Sequence, residues 1–375
     1  MIKSALSSLM ALWMVGAGIA STSCQKSMQA TTATAPTEMG KPKPPEKLPP
    51  YYISDLALIY QGGTHRLPWT STHLKPFVFR TPTTGFEWLF DGFLFIEFKD
   101  NLGYEYAEGY GQQPAGKAQW LWLLQRNFED GKAIKALNGM LDSLSAQGKT
   151  PERKRKVVLT LPEPIRSTAN WGELNGRQLN FAVAADRVAA CQWFIDTAMT
   201  MWNAANLQHL ELMGFYWVAE HNTGAAEILP SVSAKIHERN KRFYWIPYYG
   251  ADGAGSWQSM GFDIAYQQPN YFFDLNSPYS ILTGAIRYAQ QHSMALEMEF
   301  DNRLITDAGY QKKYTDYINE FEKAGAWRNL PVAYYEGGGG WYEMSLQTDP
   351  TVTGLFKRLA EIISTRQKDT DVRSR

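Results

Sequence analysis

Short runs of apolar residues alternate with longer stretches of helical periodicity along most of the chain. The apolar runs predict eight strands, at residues 56–60, 93–98, 157–161, 210–218, 243–249, 264–267, 294–300 and 332–335. Amphipathic stretches predict helices at 118–128, 132–144, 179–205, 227–240, 281–291, 308–324 and 352–364. Strands separated by helices are typical of parallel βαβ crossovers, and eight such units most simply close into a (β/α)8 TIM barrel of the α/β class.

An open, doubly wound sheet is the alternative interpretation of the same alternation. A nucleotide-binding sheet of that kind has a G-x-G-x-x-G turn after its first strand and an acidic residue that holds the ribose. Here the first strand is followed by Tyr60-Gln-Gly-Gly-Thr-His65, which lacks that spacing, and no acidic residue stands at the ribose position. We therefore expect the barrel, as a single domain.

The first 50 residues differ in composition from the rest. Lys3, the apolar residues 9–19 and the small residues 20–23 predict a lipoprotein signal peptide over 1–23, cleaved before a lipidated Cys24. The apolar run is too short to span a membrane. Residues 24–50, rich in Thr, Ala, Pro and Lys, predict a flexible linker. Ordinary secretion is the alternative, because Ser21 stands where lipoprotein signals more often have Leu.

These segments predict a barrel domain at 51–366, a polar tail at 367–375, and an exported bacterial lipoprotein of the periplasm, outer membrane or cell surface. The 37 Lys and Arg balance the 37 Asp and Glu, so we expect no nucleic acid partner. If Cys24 carries lipid, Cys191 is alone, which excludes a disulfide scaffold. The 13 Trp and 20 Tyr suit a carbohydrate partner, although large cores also use aromatic residues.

The active site of such a barrel lies where its strands end. Polar residues stand at the ends of most of the predicted strands: Glu97, Glu163, Glu220 with His221, Tyr248 with Tyr249, Gln267 with Gln268, and Glu336. Of the two glutamines, Gln267 is the site candidate. Tyr216 shares the strand parity of Glu220. A helix-terminal charge or a loop salt bridge is the alternative role for Glu220.

The seventh predicted strand carries the clearest pattern. Period-two alternation separates the apolar Met294, Leu296, Met298 and Phe300 from Ala295, Glu297, Glu299 and Asp301. We expect the apolar set to pack outward against helices and the acidic set to face the barrel mouth. Buried carboxylates are costly, so this set indicates a site that needs negative charge, or else a structural ion-pair network with Arg80, Arg166 or Arg303.

Glycoside hydrolysis usually needs two carboxyl groups that flank the bond. Strands four and seven lie roughly opposite each other in a barrel, so we expect Glu220 as acid/base and Glu299 as nucleophile. Glu297 or Asp301 would tune the charge. Sugar rings would be held by aromatic residues: Tyr216, Tyr248 and the predicted rim residues Trp171, Trp257, Trp341 and Tyr342. The alternative for the tryptophans is that they anchor loops.

The remaining candidates predict neither a metal nor a cofactor. His65 and His73 are expected in a loop after the first strand, as polar loop residues. No His, Cys and Asp cluster has zinc-ligand spacing, and no G-x-S-x-G nucleophile elbow is present in the sequence.

Two resemblances add to this interpretation. With Glu220 after strand four and Glu299 in strand seven, the chain resembles the (β/α)8 glycoside hydrolase superfamily, although Ala219 rather than Asn precedes Glu220. Residues 52–363 also resemble the domain-of-unknown-function 4855 family, in segments such as Asp91-Gly-Phe-Leu-Phe, Gly214-Phe-Tyr-Trp and Tyr244-Trp-Ile-Pro-Tyr-Tyr. This resemblance implies a barrel in a bacterial surface or periplasmic protein with a glycosidase role.

The sequence thus favours a retaining glycoside hydrolase that acts on an extracytoplasmic polysaccharide or glycan. Two other classes stay open. A non-catalytic glycan-binding surface lipoprotein would use the same aromatic rim without turnover, and an inert structural surface protein would bind no glycan.

Overall fold

In the computed structural model of the protein, residues 53–368 are described, except 64, 84 and 223. Eight parallel strands close into a barrel in chain order: β1 (Asp55–Tyr60), β2 (Gly92–Ile96), β3 (Arg155–Leu161), β4 (Leu210–Trp217), β5 (Arg242–Trp245), β6 (Ile264–Gln267), β7 (Ala295–Glu299) and β8 (Val332–Tyr335). Strand β1 pairs with both β2 and β8, which closes the ring. The barrel prediction is confirmed, and each predicted strand overlaps one barrel strand.

The helices that surround the strands are α1 (Ser71–Val78), α2 (Lys117–Arg126), α3 (Ala133–Ala146), α4 (Ala184–Ala204), α5 (Leu229–Glu238), α6 (Tyr279–Gln291), α7 (Ala308–Lys323), α8 (Ala326–Asn329), α9 (Gly340–Ser345) and α10 (Pro350–Lys368). Short 3-10 helices span Ala254–Met260 and Asn302–Ile305. Within the described residues, three small two-stranded sheets lie in the loops: Phe79–Arg80 with Glu87–Trp88, Tyr104–Glu105 with Gln113–Pro114, and Gly172–Leu174 with Arg177–Leu179.

The structure differs from the sequence prediction mainly at three short helices and three boundaries, one of which is the end of β5, at Trp245 rather than 249. The unpredicted helices are α1, α8 and α9, which are too short to show a clear amphipathic period. Helix α4 begins at Ala184 rather than 179, because residues 177–179 pair with 172–174. Helix α10 continues to Lys368, and its Gln367 is buried, so the last helix enters the segment predicted as a polar tail.

Two apolar layers flank the barrel wall. Residues such as Leu296 and Met298 face outward and pack in the layer that the helices cover. An inner cluster fills the barrel and includes Leu58, Leu94, Tyr244 and Ala295, with similar residues from the other strands. The outward-facing apolar set predicted for the seventh strand is therefore confirmed, and this alternation decides which polar side chains reach the mouth.

A β-bulge in β4 resets this alternation. Leu212 and Phe215 both pack in the outer layer although they are three residues apart, and the register of β4 against β3 shifts between Leu212 and Gly214. A Cβ on Gly214 would lie 1.8 Å from the backbone oxygen of Arg242, so only glycine fits there. After the bulge, Tyr216 and Val218 face inward.

The first strand and the last helix are joined by a buried ion pair. Arg366 Nε donates to Asp55 Oδ1 at 2.8 Å, and Gln367 Nε2 donates to Asp55 Oδ2 at 2.9 Å. Arg366 also donates to the backbone oxygens of Ser54 and Leu330. These contacts hold the end of the chain's last helix against the seam where the barrel closes.

The predicted signal peptide (1–23), the linker (24–50) and the lipidated Cys24 lie outside the described residues. Within the described part, no helix combines the length and apolarity that a membrane span requires. Cys191 is a free, buried thiol on α4.

Candidate active site

Glu220 lies three residues beyond the end of β4, where the inward parity set by the bulge carries its side chain into the mouth. The Tyr110 hydroxyl donates a hydrogen bond of 2.7 Å to Glu220 Oε2, and the side-chain amide of Gln268 donates a second hydrogen bond to this carboxylate. Burial raises the pKa of Glu220 to about 7, and the two hydrogen bonds oppose that rise. A partly buried carboxyl group with this pKa can hold a proton at neutral pH.

Glu299 ends β7 and is fully buried among hydrogen-bond donors. Its Oε1 accepts from the backbone N–H of Asn270 at 3.1 Å, and its Oε2 accepts from the backbone N–H of Tyr271 at 3.2 Å and from the Tyr317 hydroxyl. Burial raises the pKa of Glu299 to about 7, although these three donors favour its ionised form. The negative charge of Glu220 also raises this pKa, which means that the two carboxyl groups interact electrostatically.

Glu297 lies two residues earlier on the same face of β7, and its register partner Ala333 belongs to the inner cluster. Burial raises the pKa of Glu297 well above its usual range, and the charges of Glu299 and Glu220 raise it further. No hydrogen bond from a described residue offsets this effect. Glu297 is therefore the member of the group that most readily keeps its proton.

The expected acidic face of β7 is thus divided between two environments. Burial raises the pKa of the inner tyrosines Tyr60 and Tyr216, and the charges of Glu220 and Glu297 raise it further. On the outer side, burial and then the charge of Glu299 raise the pKa of Tyr317, which belongs to α7. Glu297 faces the interior, whereas Glu299 bridges the mouth and helix α7.

Asp301, the third acidic residue of this segment, belongs to an ion pair. Its carboxylate accepts hydrogen bonds from Arg303 Nε at 2.9 Å and Nη2 at 2.7 Å, and from the backbone N–H of Arg303. The ion-pair alternative therefore holds for Asp301 with Arg303. The other two arginines considered for that network lie elsewhere, since Arg80 pairs with Glu87 and Arg166 with Glu227.

Glu97 and Glu336 are also buried and have local partners. Glu97 accepts two hydrogen bonds from Arg66, at 2.7 and 2.8 Å, and lies 3.7 Å from His65 Nε2. Glu336 Oε2 accepts from the backbone N–H groups of Gly339 at 2.9 Å and Trp341 at 3.0 Å. Burial raises the pKa of Glu336 to about 8, and these N–H groups oppose the rise. Glu97 therefore holds the loop that follows β1, and Glu336 holds the loop that follows β8.

The end of β6 places Gln268, rather than the predicted Gln267, at the site. Tyr266 belongs to the inner cluster, so Gln268 shares its inward parity and Gln267 does not. Gln267 Nε2 instead donates to the backbone oxygens of Pro247 and Gln268, at 3.1 Å each. Of the two tyrosines after β5, Tyr248 shares the inward parity of Ile246, whereas Tyr249 is exposed and packs beside Tyr288 of α6.

The rim position predicted for three tryptophans is wrong. Trp171 packs in the outer layer against Trp120 and Phe181, and Trp341 is fully buried on α9 with its indole N–H donating to the Pro76 oxygen. The Trp257 indole donates to the His292 oxygen, just before β7 begins, and lies away from the strand ends that carry Glu220 and Glu299. All three indoles are buried and offer no face to a sugar, and those of Trp257 and Trp341 anchor loops by donating to backbone oxygens. Tyr342 on α9 is half-buried beside His73.

The histidines have separate surroundings. His221 follows Glu220 and is partly buried, and its Nδ1 has no hydrogen-bond partner among the described residues. His73 lies in the first turn of α1, where Thr70 Oγ1 and His73 Nδ1 are 2.8 Å apart in a capping box. Its expected loop position is therefore wrong, because the sequence prediction missed α1.

Three residues of this site were missed or left without a role by sequence reasoning. Tyr110 lies in the long loop after β2, and no periodicity marks it. Gln268 stands next to another glutamine, Gln267, and only the geometry at the end of β6 decides which of the two side chains turns inward. Glu163, after β3, is buried and accepts a hydrogen bond of 2.9 Å from the Glu108 N–H; burial raises its pKa to about 7. In the sequence, only the position of Glu163 after a predicted strand marked it as a candidate site residue.

Over the described ranges of the chain, no group of three His, Cys, Asp or Glu side chains has a geometry that could hold a metal ion. The mouth contains carboxyl, tyrosine and amide groups, which can move protons and hydrogen-bond hydroxyl groups.

One protein family and several solved structures are similar to this chain. The family described as "Domain of unknown function (DUF4855)" matches residues 55–361. No curated protein matches the chain in sequence. Among solved structures, the family 18 chitinase of Crocus vernus has 11% identity and a TM-score of 0.42 over 83% of this chain and 98% of that one. The family GH18 chitinase of the fern Peteris ryukyuensis has 11% identity and a TM-score of 0.41 over 81% and 99%. A GH113 β-1,4-mannanase has 10% identity and a TM-score of 0.39 over 85% and 99%.

Proposed function

The chain belongs to the DUF4855 family, and we propose that it is a retaining glycoside hydrolase that acts on a polysaccharide or glycan outside the cytoplasm. One observation carries the proposal. Carboxyl groups from two opposite strands, Glu220 after β4 and Glu299 in β7, are held by hydrogen-bond donors, interact electrostatically, and have pKa values raised to about 7. Retaining glycosidases need one protonated and one ionised carboxyl group at the scissile bond.

In this proposal, Glu220 is the acid/base. Its proton passes to the glycosidic oxygen as the bond from that oxygen to the anomeric carbon breaks. Glu299 attacks the anomeric carbon as a carboxylate, because its three donors stabilise the ionised form. Glu220 then removes a proton from water, which attacks the anomeric carbon and releases Glu299. A pKa near 7 suits a group that must both donate and accept a proton at neutral pH.

Glu297 has a different role. As the carboxyl group with the most strongly raised pKa and no hydrogen-bond donor, it stays protonated and limits the negative charge beneath Glu299. A third ionised carboxylate would oppose the ionisation of the nucleophile. Tyr216 and Tyr248 share the inward parity of the site, so we assign them contacts with the sugar ring.

The test is a screen for sugars released from a panel of glycans by the wild type and by the Glu220→Gln, Glu299→Gln and Glu297→Gln variants. We expect release to fall by roughly 1,000-fold or more in the first two, and azide to restore part of it in Glu299→Ala. Glu211→Gln is the matched control, since this exposed glutamate lies at the other end of β4. Loss in Glu297→Gln but not in Glu299→Gln would move the nucleophile to Glu297.

Two results would reject the catalytic proposal. If no glycan is cleaved while one binds saturably to the wild type and only slightly more weakly to Glu220→Gln, the protein is a glycan-binding module. If no glycan is bound or cleaved, the inert structural role stands. Products of inverted anomeric configuration would keep the hydrolase and overturn the retaining mechanism.

For location, we propose an exported bacterial lipoprotein anchored through Cys24, with residues 24–50 as the tether. The support is the order of Lys3, the apolar run 9–19, the small residues 20–23 and Cys24. Labelling with radioactive palmitate tests this proposal. We expect label in the wild type and none in Cys24→Ala, and label in neither protein would favour ordinary secretion.

A further inference from the structure

Gln268 lies at the site on a backbone that is fixed from both sides. Its N–H donates to the Pro247 oxygen at 3.0 Å, and its own backbone oxygen accepts from the Tyr249 N–H at 2.8 Å. A bridge between Tyr248 and Gln268 extends the pairing of β5 and β6 beyond the regular strands. The side chain therefore starts from a rigid position and turns inward with the parity of Tyr266.

The two ends of the Gln268 amide are used differently. The side-chain N–H donates to Glu220, whereas Oε1 has no hydrogen-bond partner among the described residues. The residue is only 7% exposed, so Oε1 is a buried acceptor rather than a solvated one. Buried polar atoms are nearly always hydrogen-bonded, and one without a partner at a mouth of polar groups points to a ligand.

On this geometry, and resting on the proposed function, we propose that Gln268 determines specificity: it holds Glu220 through its N–H and accepts a hydrogen bond from the bound sugar at Oε1. The group that it recognises must be a donor, because the amide oxygen can only accept. A hydroxyl or an acylamino N–H of the sugar next to the scissile bond meets this requirement. One side chain would thereby link recognition of the sugar to the position of the acid.

This arrangement predicts selectivity against sugars that lack the donor. A site that is built to hydrogen-bond a substrate hydroxyl discriminates strongly against the deoxy analogue, because the acceptor is left unpaired in the complex. Gln267 Oε1 also has no hydrogen-bond partner among the described residues, but Gln267 has the opposite strand parity and its amide is held against the Pro247 and Gln268 oxygens, so it does not share the position of Gln268 beside Glu220.

The experiment compares Gln268→Met, which has a similar shape but no amide, with the wild type. On the glycan that the wild type cleaves, we expect kcat/KM to fall on the order of 100-fold. We also expect the pH profile of kcat/KM to show a higher pKa for Glu220, since one donor to its carboxylate is lost. Gln258→Met is the matched control, because Gln258 is exposed on the 3-10 helix between β5 and β6.

A second measurement does not depend on turnover. Glu220 is titrated in full-length protein labelled with [5-13C]glutamate, with its signal assigned by its absence in Glu220→Gln, and calorimetry measures binding of glucose, N-acetylglucosamine, galactose and their oligomers. We expect the Glu220 pKa to rise in Gln268→Met and sugar binding to weaken at least tenfold. A merely packed side chain would move neither quantity.

The outcomes separate the two proposals. Unchanged kcat/KM and an unchanged Glu220 pKa in Gln268→Met would overturn the role of Gln268 and leave the hydrolase intact. Binding without cleavage, lost in Gln268→Met, would reject the hydrolase and keep the specificity role. If no sugar is bound or cleaved, both proposals are overturned, and Oε1 is paired with water alone.

Discussion

The hydroxyl of Tyr110 donates a hydrogen bond of 2.7 Å to the carboxylate of Glu220, which joins the loop after β2 to the end of β4. Burial raises the pKa of Glu220 to about 7, and this hydrogen bond lowers it by favouring the charged form. In Tyr110→Phe, we therefore expect the Glu220 pKa to lie above 7. The limb of the kcat/KM profile that reports this acid should move to higher pH, which steady-state rates from pH 5 to 9 will measure.

The packing of the Tyr110 ring and a control variant in the same loop allow the effect of the hydroxyl to be measured separately. The Tyr110 ring stacks on Phe98 with centroids 4.3 Å apart, so Phe at position 110 should keep the packing. Tyr104→Phe changes a half-buried tyrosine of the same loop and serves as the control. Equal pH profiles for wild type and Tyr110→Phe would show that the hydroxyl does not set the pKa of Glu220.

Glu297→Gln should make the protein more stable at alkaline pH and leave it unchanged at acid pH. The folded-state pKa of Glu297 is raised, so the folded protein binds more protons than the unfolded chain over the intervening pH range. Stability from this group is then complete below about pH 4.5 and is lost as the pH rises towards the folded value. Glutamine cannot ionise, which removes the loss.

Thermal unfolding from pH 4.5 to 8.5 will measure this effect. We expect the Tm of Glu297→Gln to exceed that of the wild type by several degrees at pH 8.5 and to match it at pH 4.5. Glu211→Gln, on the exposed end of β4, should follow the wild type at every pH. A parallel fall of Tm in Glu297→Gln and wild type would contradict the prediction.

Gly214→Ala should destabilise the barrel by about 3 kcal/mol, at the upper end of overpacking effects. The new Cβ would meet the Arg242 oxygen at 1.8 Å, and that oxygen belongs to the backbone of β5, which cannot rotate away. Denaturant unfolding measures the change. Gly354→Ala on the exposed face of α10 is the control, where a Cβ meets nothing within 4 Å and should stabilise slightly.

Asp55→Ala should cost about 3–5 kcal/mol, because it removes the carboxylate of a buried ion pair with Arg366. Urea unfolding will measure the loss. Lys323→Ala removes an exposed partner of Glu320 and should leave the stability nearly unchanged, because solvent screens that pair. Restoration of most of the lost stability in Asp55→Ala/Arg366→Met would confirm that the loss arises from the buried charge of Arg366.

Much of the fold could be predicted from the sequence, because its strands are buried and are separated by amphipathic helices. The period of two in residues 294–300 gave both the position of β7 and its outward-facing apolar set. The inward parity of Tyr216 and Val218 also followed from local alternation, since the bulge lies before them.

The site was harder to predict from the sequence, because loops and strand ends decide its contacts. Nothing local indicates that Tyr110, in a loop far from β4 in sequence, reaches Glu220. Gln267 and Gln268 are identical in kind, and only the geometry of the strand end tells them apart. Trp171, Trp257 and Trp341 lie in or beside loops, yet their indoles pack inward, which a loop assignment from sequence does not predict.

The glycine run after β8 has a bearing on which substrates this barrel can accept. In many (β/α)8 barrels, the loops after the seventh and eighth strands and a short extra helix bind a phosphate group. Here the backbone N–H groups of Gly339 and Trp341 already donate to the Glu336 carboxyl group. A sugar phosphate would have to displace that carboxyl group to use these donors, whereas an uncharged sugar needs no anion site at that corner.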